Sequence, residues 1–329
     1  MQSKRLTPNH MIGTDVGGTK IAVSLVDLKG NILASMRRPT DITNPEATLD
    51  SIANAVCEMV EANHLDLNSF DALGFGIPGL VDAEKGIGIA SVNLGWENVP
   101  VRASLEKRLG IRCVIDNDVR TGALGEARFG AAQGLKNLVY LNIGTGISAV
   151  ILLDGKFFVG VHGLAGEIGH AILVPDGPVC KCGGRGCFEA VASGPGIAEW
   201  TLKKITNGGT SLLSDQVLKK RLPLTAENVF AAAEKKDELA LQTLMEIGTL
   251  MARSLEYLAL AYDPDVIVIG GSVVLGSPLL FQIILQKLEE LADSSWVFNK
   301  VFSKDLVKLS TLGNNAGVLG AAALVAPLT

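Results

Sequence analysis

The 329-residue chain is short of the features that mark several functional classes. It holds only five cysteines and four histidines. Its opening, MQSKRLTPNH, is basic but lacks the apolar stretch of a secretory signal, so a cytoplasmic protein without disulfides is expected. Cationic excess is missing as well. A formal net charge of −5 offers no field to draw in nucleic acid or an anionic membrane, and neither is expected as a partner. Val266 to Gln286 carries no charge over 21 residues, but Gly270, Gly271, Gly276 and Pro278 interrupt it. That stretch predicts a buried strand, a turn and the start of a helix rather than a membrane span. No G-x-x-x-x-G-K-[ST] phosphate loop occurs, and Gly74-Phe75-Gly76 fails as a dinucleotide fingerprint at its third glycine. There is no low-complexity segment and no obvious linker.

What is present is a chain that is 48% hydrophobic and 19% charged, with much apolar surface to bury and more residues than one core usually serves. Two lobes are expected. Met11–Val16, Ile21–Val26 and Ile32–Ser35 read as a small antiparallel meander, followed by a helix with apolar spacing from Pro45 to Asn63. A strand at Ala72–Ile77, a helix at Val101–Leu109 and a strand at Arg112–Ile115 complete an α/β lobe with a mixed sheet. LVYLNIGTGISAVILLDGKFFVG, from Leu138, repeats the meander in pattern though not in letters, which suggests a second lobe of related design. A long helix ending at Asp263-Pro264, a strand at Val266–Ile269 and a small-residue C-terminal helix opened by GNNAGVLGAAAL follow.

Three of the five cysteines and one histidine crowd into one glycine-rich stretch: His170, Cys180, Cys182 and Cys187, with nine, one and four residues between them. Three thiolates and an imidazole make a closed tetrahedral set for structural zinc, and reduced thiols in a loop are the plainer alternative. Gly183, Gly184 and Gly186 suit a short chain wrapped around one ion. The stretch has little core of its own, and structural zinc, at an apparent ~10–16 kcal/mol in small sites, is ample to order it. Glu167 and Glu189 flank the set as solvated surface groups or as carboxylates presented toward a polyol.

Asp15-Val16-Gly17-Gly18-Thr19-Lys20 ends a strand with a carboxylate, two glycines, a hydroxyl and an ammonium. Such a turn either brings backbone N–H groups to a phosphate, with the carboxylate holding Mg²⁺ through water, or is a tight hairpin without a ligand. Gly144-Thr145-Gly146 and Gly270-Gly271 repeat the strand-to-glycine pattern. In Ile115-Asp116-Asn117-Asp118 the last carboxylate is placed either as a helix N-cap or as a general base for a hydroxyl.

Taken in order, DVGGTK, GIPGLVD, IDNDVRTGALGE, IGTG, GEIGH, CKCGGRGCFE and DPDVIVIGGS resemble the ROK family of sugar kinases and sugar-responsive repressors, over nearly the whole chain from Met11. The resemblance implies an actin-like ATPase (hexokinase-type) α/β fold, with two RNase H-like lobes and a central cleft. A small N-terminal lobe over residues 1–118 is expected, joined by a C-terminal helix at about 314–329. A larger lobe over 119–313 carries the zinc loop. It further implies Asp118 as catalytic base and Gly79, Asn93, Asn117, Asp118, Glu167, His170 and Glu189 around the sugar, His170 also on zinc with the three cysteines. Asp15 would serve Mg²⁺, with Gly17, Gly18, Thr19, Lys20, Gly144, Thr145 and Gly146 at the ATP phosphates and Gly270 and Gly271 near the adenosine.

The implied activity is transfer of the γ-phosphate of ATP to a hexose, with glucose at its 6-hydroxyl first in line, by a homodimer or homotetramer. Asn117, where fructokinases of the family tend to carry threonine, points to the glucose and N-acetylhexosamine branches. Ten residues before Met11 are too few for the DNA-binding head of a repressor, so that function is not expected. After IGTG the family usually continues with glycine, whereas Ile147, Ser148 and Ala149 stand here. Side chains at these positions have room to crowd the phosphates, which keeps a catalytically silent sugar-binding sensor as the alternative, while Asp118 and an intact DVGGTK favour catalysis.

Overall fold

The computed structural model describes residues 10–326; the basic opening through Asn9 and the last three residues of the expected C-terminal helix lie outside them. The chain divides into two compact units. The first runs to Leu135 and takes in Val159–Leu164 and the chain from Thr311 onward; the second comprises Lys136–Phe158 and Ala165–Ser310. The division thus falls later than Asp118. The helix that Asp118 opens lies in the first unit because the C-terminal helix packs on it.

In the first unit β1 (His10–Val16), β2 (Lys20–Asp27) and β3 (Ile32–Pro39) form the expected antiparallel meander. β4 (Leu73–Ile77) and β8 (Cys113–Asn117) extend it in parallel, for a strand order of β3-β2-β1-β4-β8. Between them lie three strands that sequence reading missed: β5 (Leu80–Asp82), β6 (Ile87–Ser91) and β7 (Trp96–Val99), which form a separate small sheet. They are three to five residues long and lack a sustained apolar alternation, so no periodicity announces them. Helix α1 (Pro45–Ala62) starts where the Asn44 side chain accepts the Ala47 N–H at 2.9 Å, and it buries Leu49, Ile52, Val56 and Met59. α2 (Val101–Leu109) and α3 (Asp118–Phe129) complete the described helices here, save the last one.

The second unit repeats the plan. β9 (Leu138–Ile143), β10 (Ile147–Leu153) and β11 (Lys156–Phe157) form a meander, and β12 (Val266–Gly270) and β13 (Val307–Leu309) add in parallel, for β11-β10-β9-β12-β13. Its helices are α4 (Phe188–Ala192), α5 (Gly194–Thr206), α6 (Ala226–Glu234), α7 (Glu238–Tyr262), α8 (Ser272–Leu275), α9 (Pro278–Ser294) and α10 (Trp296–Val301). α7 stops at Asp263, left-handed at φ 42°, because a residue before proline is driven out of the helical region. Each unit has its own buried cluster, one built on Ile12, Phe75 and Ile115, the other on Leu141, Phe188 and Met251. No helix among the described residues is long and apolar enough to cross a membrane.

The C-terminal helix α11 (Ala316–Ala323) lies on β1, β4 and α3 in the first unit, seated on glycine. A Cβ on Gly13 would meet Val318 O at 2.1 Å, one on Gly74 would meet Ala321 O at 1.8 Å, and one on Gly320 would meet Thr121 O at 1.6 Å. Helix and sheet backbones touch, which no larger residue permits.

Candidate functional site

The first unit gathers the two carboxylates. Asp15 sits near the end of β1, its carboxyl so close to α11 that a Cβ on Gly317 would lie 2.9 Å from its carbon. The hairpin turn that follows is closed by the Gly17 N–H donating to Lys20 O at 2.9 Å and by the Thr40 hydroxyl donating to Gly17 O at 2.6 Å. Thr19 and Lys20 are exposed at its tip. Gly18 packs backbone to backbone on Asn93, whose carbonyl oxygen would stand 2.8 Å from an added Cβ.

Asp118 is the first helical residue of α3, and the cap is Asn117 instead of Asp118. Asn117 Oδ1 accepts the N–H groups of Val119 and Arg120 at 2.9 and 3.0 Å, because a side chain one residue further back reaches those unpaired donors. Its Nδ2 donates to Gly79 O at 2.8 Å and to Asp118 Oδ1 at 3.0 Å. The amide therefore ties the Gly79 turn to the Asp118 carboxyl. Gly79 itself has φ +101°, and the Ala90 carbonyl occupies the place of its missing Cβ, 2.2 Å away. Asp116 and Arg120 form a largely buried ion pair, and Arg120 Nη2 also donates to Val81 O at 3.0 Å. Sequence reading missed Arg120; the i, i+4 spacing of IDNDVR was the available signal.

Burial governs the charge states. It pushes the Asp15 carboxyl up to about 6, against the pull of Lys20. Burial pushes Asp118 further, to about 7, and the charge of Asp15 adds to this while Arg120 opposes it. A carboxyl of this kind takes up a proton readily near neutral pH, the property a general base requires.

In the second unit His170, Cys180, Cys182 and Cys187 bring one ligand atom each to within 4.8 Å of the others. Cys180 Sγ lies 3.8 Å from His170 Nδ1, and the Cys182 and Cys187 sulfurs are 3.7 Å apart. A Cβ on Gly184 would press on both of those sulfurs, at 3.4 and 3.3 Å. Three sulfurs and one imidazole nitrogen fit zinc by donor type and number. With Nδ1 turned to the sulfurs, the other ring nitrogen of His170 faces Glu167 Oε2 at 3.9 Å. Glu167 is raised by burial and by Glu189, and lowered by His170.

Glu189, on α4, reaches the turn between β9 and β10. Its Oε2 accepts the Ile147 N–H at 2.9 Å and would stand 2.9 Å from a Cβ on Gly146. The turn Gly144–Gly146 opens on a cavity of about 310 Å³ lined by Gly144, Thr145, Gly194, Pro195, Thr225 and Ser272 among others. The amino-terminal ends of α5, α6 and α8 line it, and the partial positive charge of helix starts favours an anion. Gly270 and Gly271 do not line it. Their missing side chains make room for Tyr140 and for the Ile143 carbonyl, and the next residues, Ser272 and Val273, form the wall. Sequence reading missed the walls at Gly194-Pro195 and Leu224–Glu227; S-G-P-G, a cap and a proline at a helix start, was the available signal for the first.

Of the three residues after the IGTG turn, Ser148 is half-buried and none lines this cavity. Ile147 and Ala149 alternate inward along β10, 2% and 1% exposed in the core, and neither lines the cavity.

The profile of the ROK family matches residues 11–327. A glucokinase of Halalkalibacterium halodurans is 34% identical over 316 residues, covering 95% of this chain and 94% of that protein. Among solved structures, a ROK family glucokinase from Streptomyces griseus in complex with glucose and AMPPNP superposes with a TM-score of 0.77 at 30% identity, over 96% of this chain and 98% of that one. A ROK family transcriptional regulator, a homologue of the E. coli MLC protein, reaches a TM-score of 0.83 at 27% identity, over 96% of this chain and 77% of that one.

Proposed function

The chain belongs to the ROK family and has its actin-like ATPase fold, and from that premise we propose that it is an ATP-dependent kinase that phosphorylates glucose at the 6-hydroxyl. The observation that carries the chemistry is Asp118: a half-buried residue at the start of α3, its carboxyl tied by Asn117 to the Gly79 turn and poised near neutral pH beside Asp15.

In this reading Asp118 takes the proton of the attacking hydroxyl. Asn117, Gly79, Asn93, Glu167, His170 and Glu189 orient the sugar. Asp15 faces the metal side of the nucleotide, and the turns at Gly17–Lys20 and Gly144–Gly146 supply N–H groups to its phosphates. Bound Mg²⁺ would offset the charge developing on the transferred phosphoryl group. Zinc on His170, Cys180, Cys182 and Cys187 would hold the His170 ring so that its second nitrogen meets the sugar, a role in positioning with no vacant ligand place for reaction. The sensor alternative rested on crowding at Ile147–Ala149; Ile147 and Ala149 are buried in the core and none of the three lines the cavity, which supports the kinase reading over it.

The test is ADP release with Mg²⁺-ATP against glucose, mannose, fructose, allose, N-acetylglucosamine and N-acetylmannosamine. Turnover highest on glucose is the expected result. Turnover highest on another sugar would reassign the substrate, and silence across the panel with sugar still bound would overturn the kinase reading.

A further inference from the structure

The two substrate sides of the second unit are joined by one short piece of chain. Cys187, the last of the four zinc-type ligands, is also the residue from which α4 springs. Two residues on, Glu189 accepts the Ile147 N–H at 2.9 Å. At the far end of the same segment, the Gly194 N–H that opens α5 donates to the Gly144 carbonyl at 2.9 Å. The glycine turn facing the cavity is therefore gripped on both flanks, at residues 144 and 147, by chain that begins at a metal ligand. Within the turn the Gly144 N–H donates to Gly146 O at 2.9 Å, and glycine resists distortion weakly.

We infer that segment 187–194 is a clamp through which zinc occupancy sets the shape of the nucleotide-side turn, with Glu189 as its positioning residue. The inference rests on the kinase reading above, since the turn is taken to meet ATP phosphates. A carboxylate has two oxygens, so Glu189 can hold Ile147 through Oε2 and still present Oε1 to a sugar. Loosening the cysteine cluster would free the start of α4, slacken the Glu189 contact and unsettle the N–H groups of the turn. Zinc would then matter for the nucleotide as well as for the hexose, although no ligand atom of the cluster lines the cavity.

The experiment measures binding of a non-hydrolysable ATP analogue with Mg²⁺, by calorimetry and without sugar, so that turnover plays no part. It compares the zinc-loaded full chain, the same protein stripped by a chelator and then reloaded, Glu189→Ala and Glu189→Gln. Zinc content and circular dichroism are read alongside. Stripping is expected to weaken analogue binding about tenfold, and reloading to restore it, the scale at which outer contacts of metal sites act. Glu189→Ala should keep its zinc and fold yet weaken binding by about fivefold to tenfold, as losing one charge-assisted hydrogen bond would. Glu189→Gln, which keeps an acceptor oxygen, should recover part of that.

Unchanged affinity in the stripped, folded protein or in Glu189→Ala overturns the clamp and leaves the kinase reading intact. Failure of the zinc-loaded wild type to bind the analogue overturns the kinase reading, and the clamp with it.

Discussion

Burial and the charge of Asp15 hold the Asp118 carboxyl at about 7, and activity and stability then respond to pH in opposite ways. The base works only when unprotonated, so kcat/KM for the sugar should fall as pH drops through about 7 and approach a tenfold loss per unit below it. Initial rates at low sugar concentration across pH 5 to 9 would check this; a flat profile would remove Asp118 as base. For stability the folded value lies above the ordinary 3.8, so the folded protein binds the proton more tightly. The contribution is favourable at low pH and is lost as pH rises toward 7. Asp118→Asn should therefore abolish phosphoryl transfer, leave sugar binding largely intact, and stabilise the ligand-free protein by on the order of 1–3 kcal/mol at pH 8. Thermal melts should show that gain shrink toward pH 4. Arg120 works the other way, since leaving Asp116 buried without its partner costs about 3–5 kcal/mol. A matching fall in melting temperature is expected for Arg120→Met. The IDND motif was legible from its letters, but the cap on Asn117 and the perturbation of Asp118 were not. Both depend on which backbone donors and which distant carboxylate the fold delivers there.

At the scale of elements, α11 shows how a composition becomes a contact. GNNAGVLGAAAL reads as a helix of small residues able to pack closely, but only the fold supplies its partners: Gly13, Gly74 and the carbonyl of Thr121. In a free helix Gly320→Ala would help by about 1 kcal/mol. Here its Cβ would lie 1.6 Å from Thr121 O, so the variant should lose stability by about 2 kcal/mol or more, measured by denaturant unfolding. β10 teaches the converse. The letters Ile147, Ser148 and Ala149 suggest crowding, while the period of two along a strand sends the first and third side chains into the core.

At the scale of the whole molecule, the largest buried cluster of each unit shares no residue with that of the other, and the cysteine cluster belongs to the second. Chelation or Cys182→Ser should therefore lower the calorimetric transition of the second unit and leave that of the first nearly in place, with sugar affinity falling alongside zinc content. A single transition moving as a whole would contradict this. By itself the sequence determined the order of the main helices and strands, the duplicated meander, the zinc-type ligand set and the membership in a family of sugar kinases and repressors. These are local periodicities and short motifs, whose information lies within a few neighbouring residues. Only the tertiary structure decided that Gly270 and Gly271 make room for Tyr140 and Ile143 while Ser272 lines the cavity, that Gly194 and Glu189 flank the turn at Gly144, and that Asp118 titrates near neutrality. Each of those follows from groups far apart in the chain meeting within a few ångströms, where burial removes the water that would otherwise screen them.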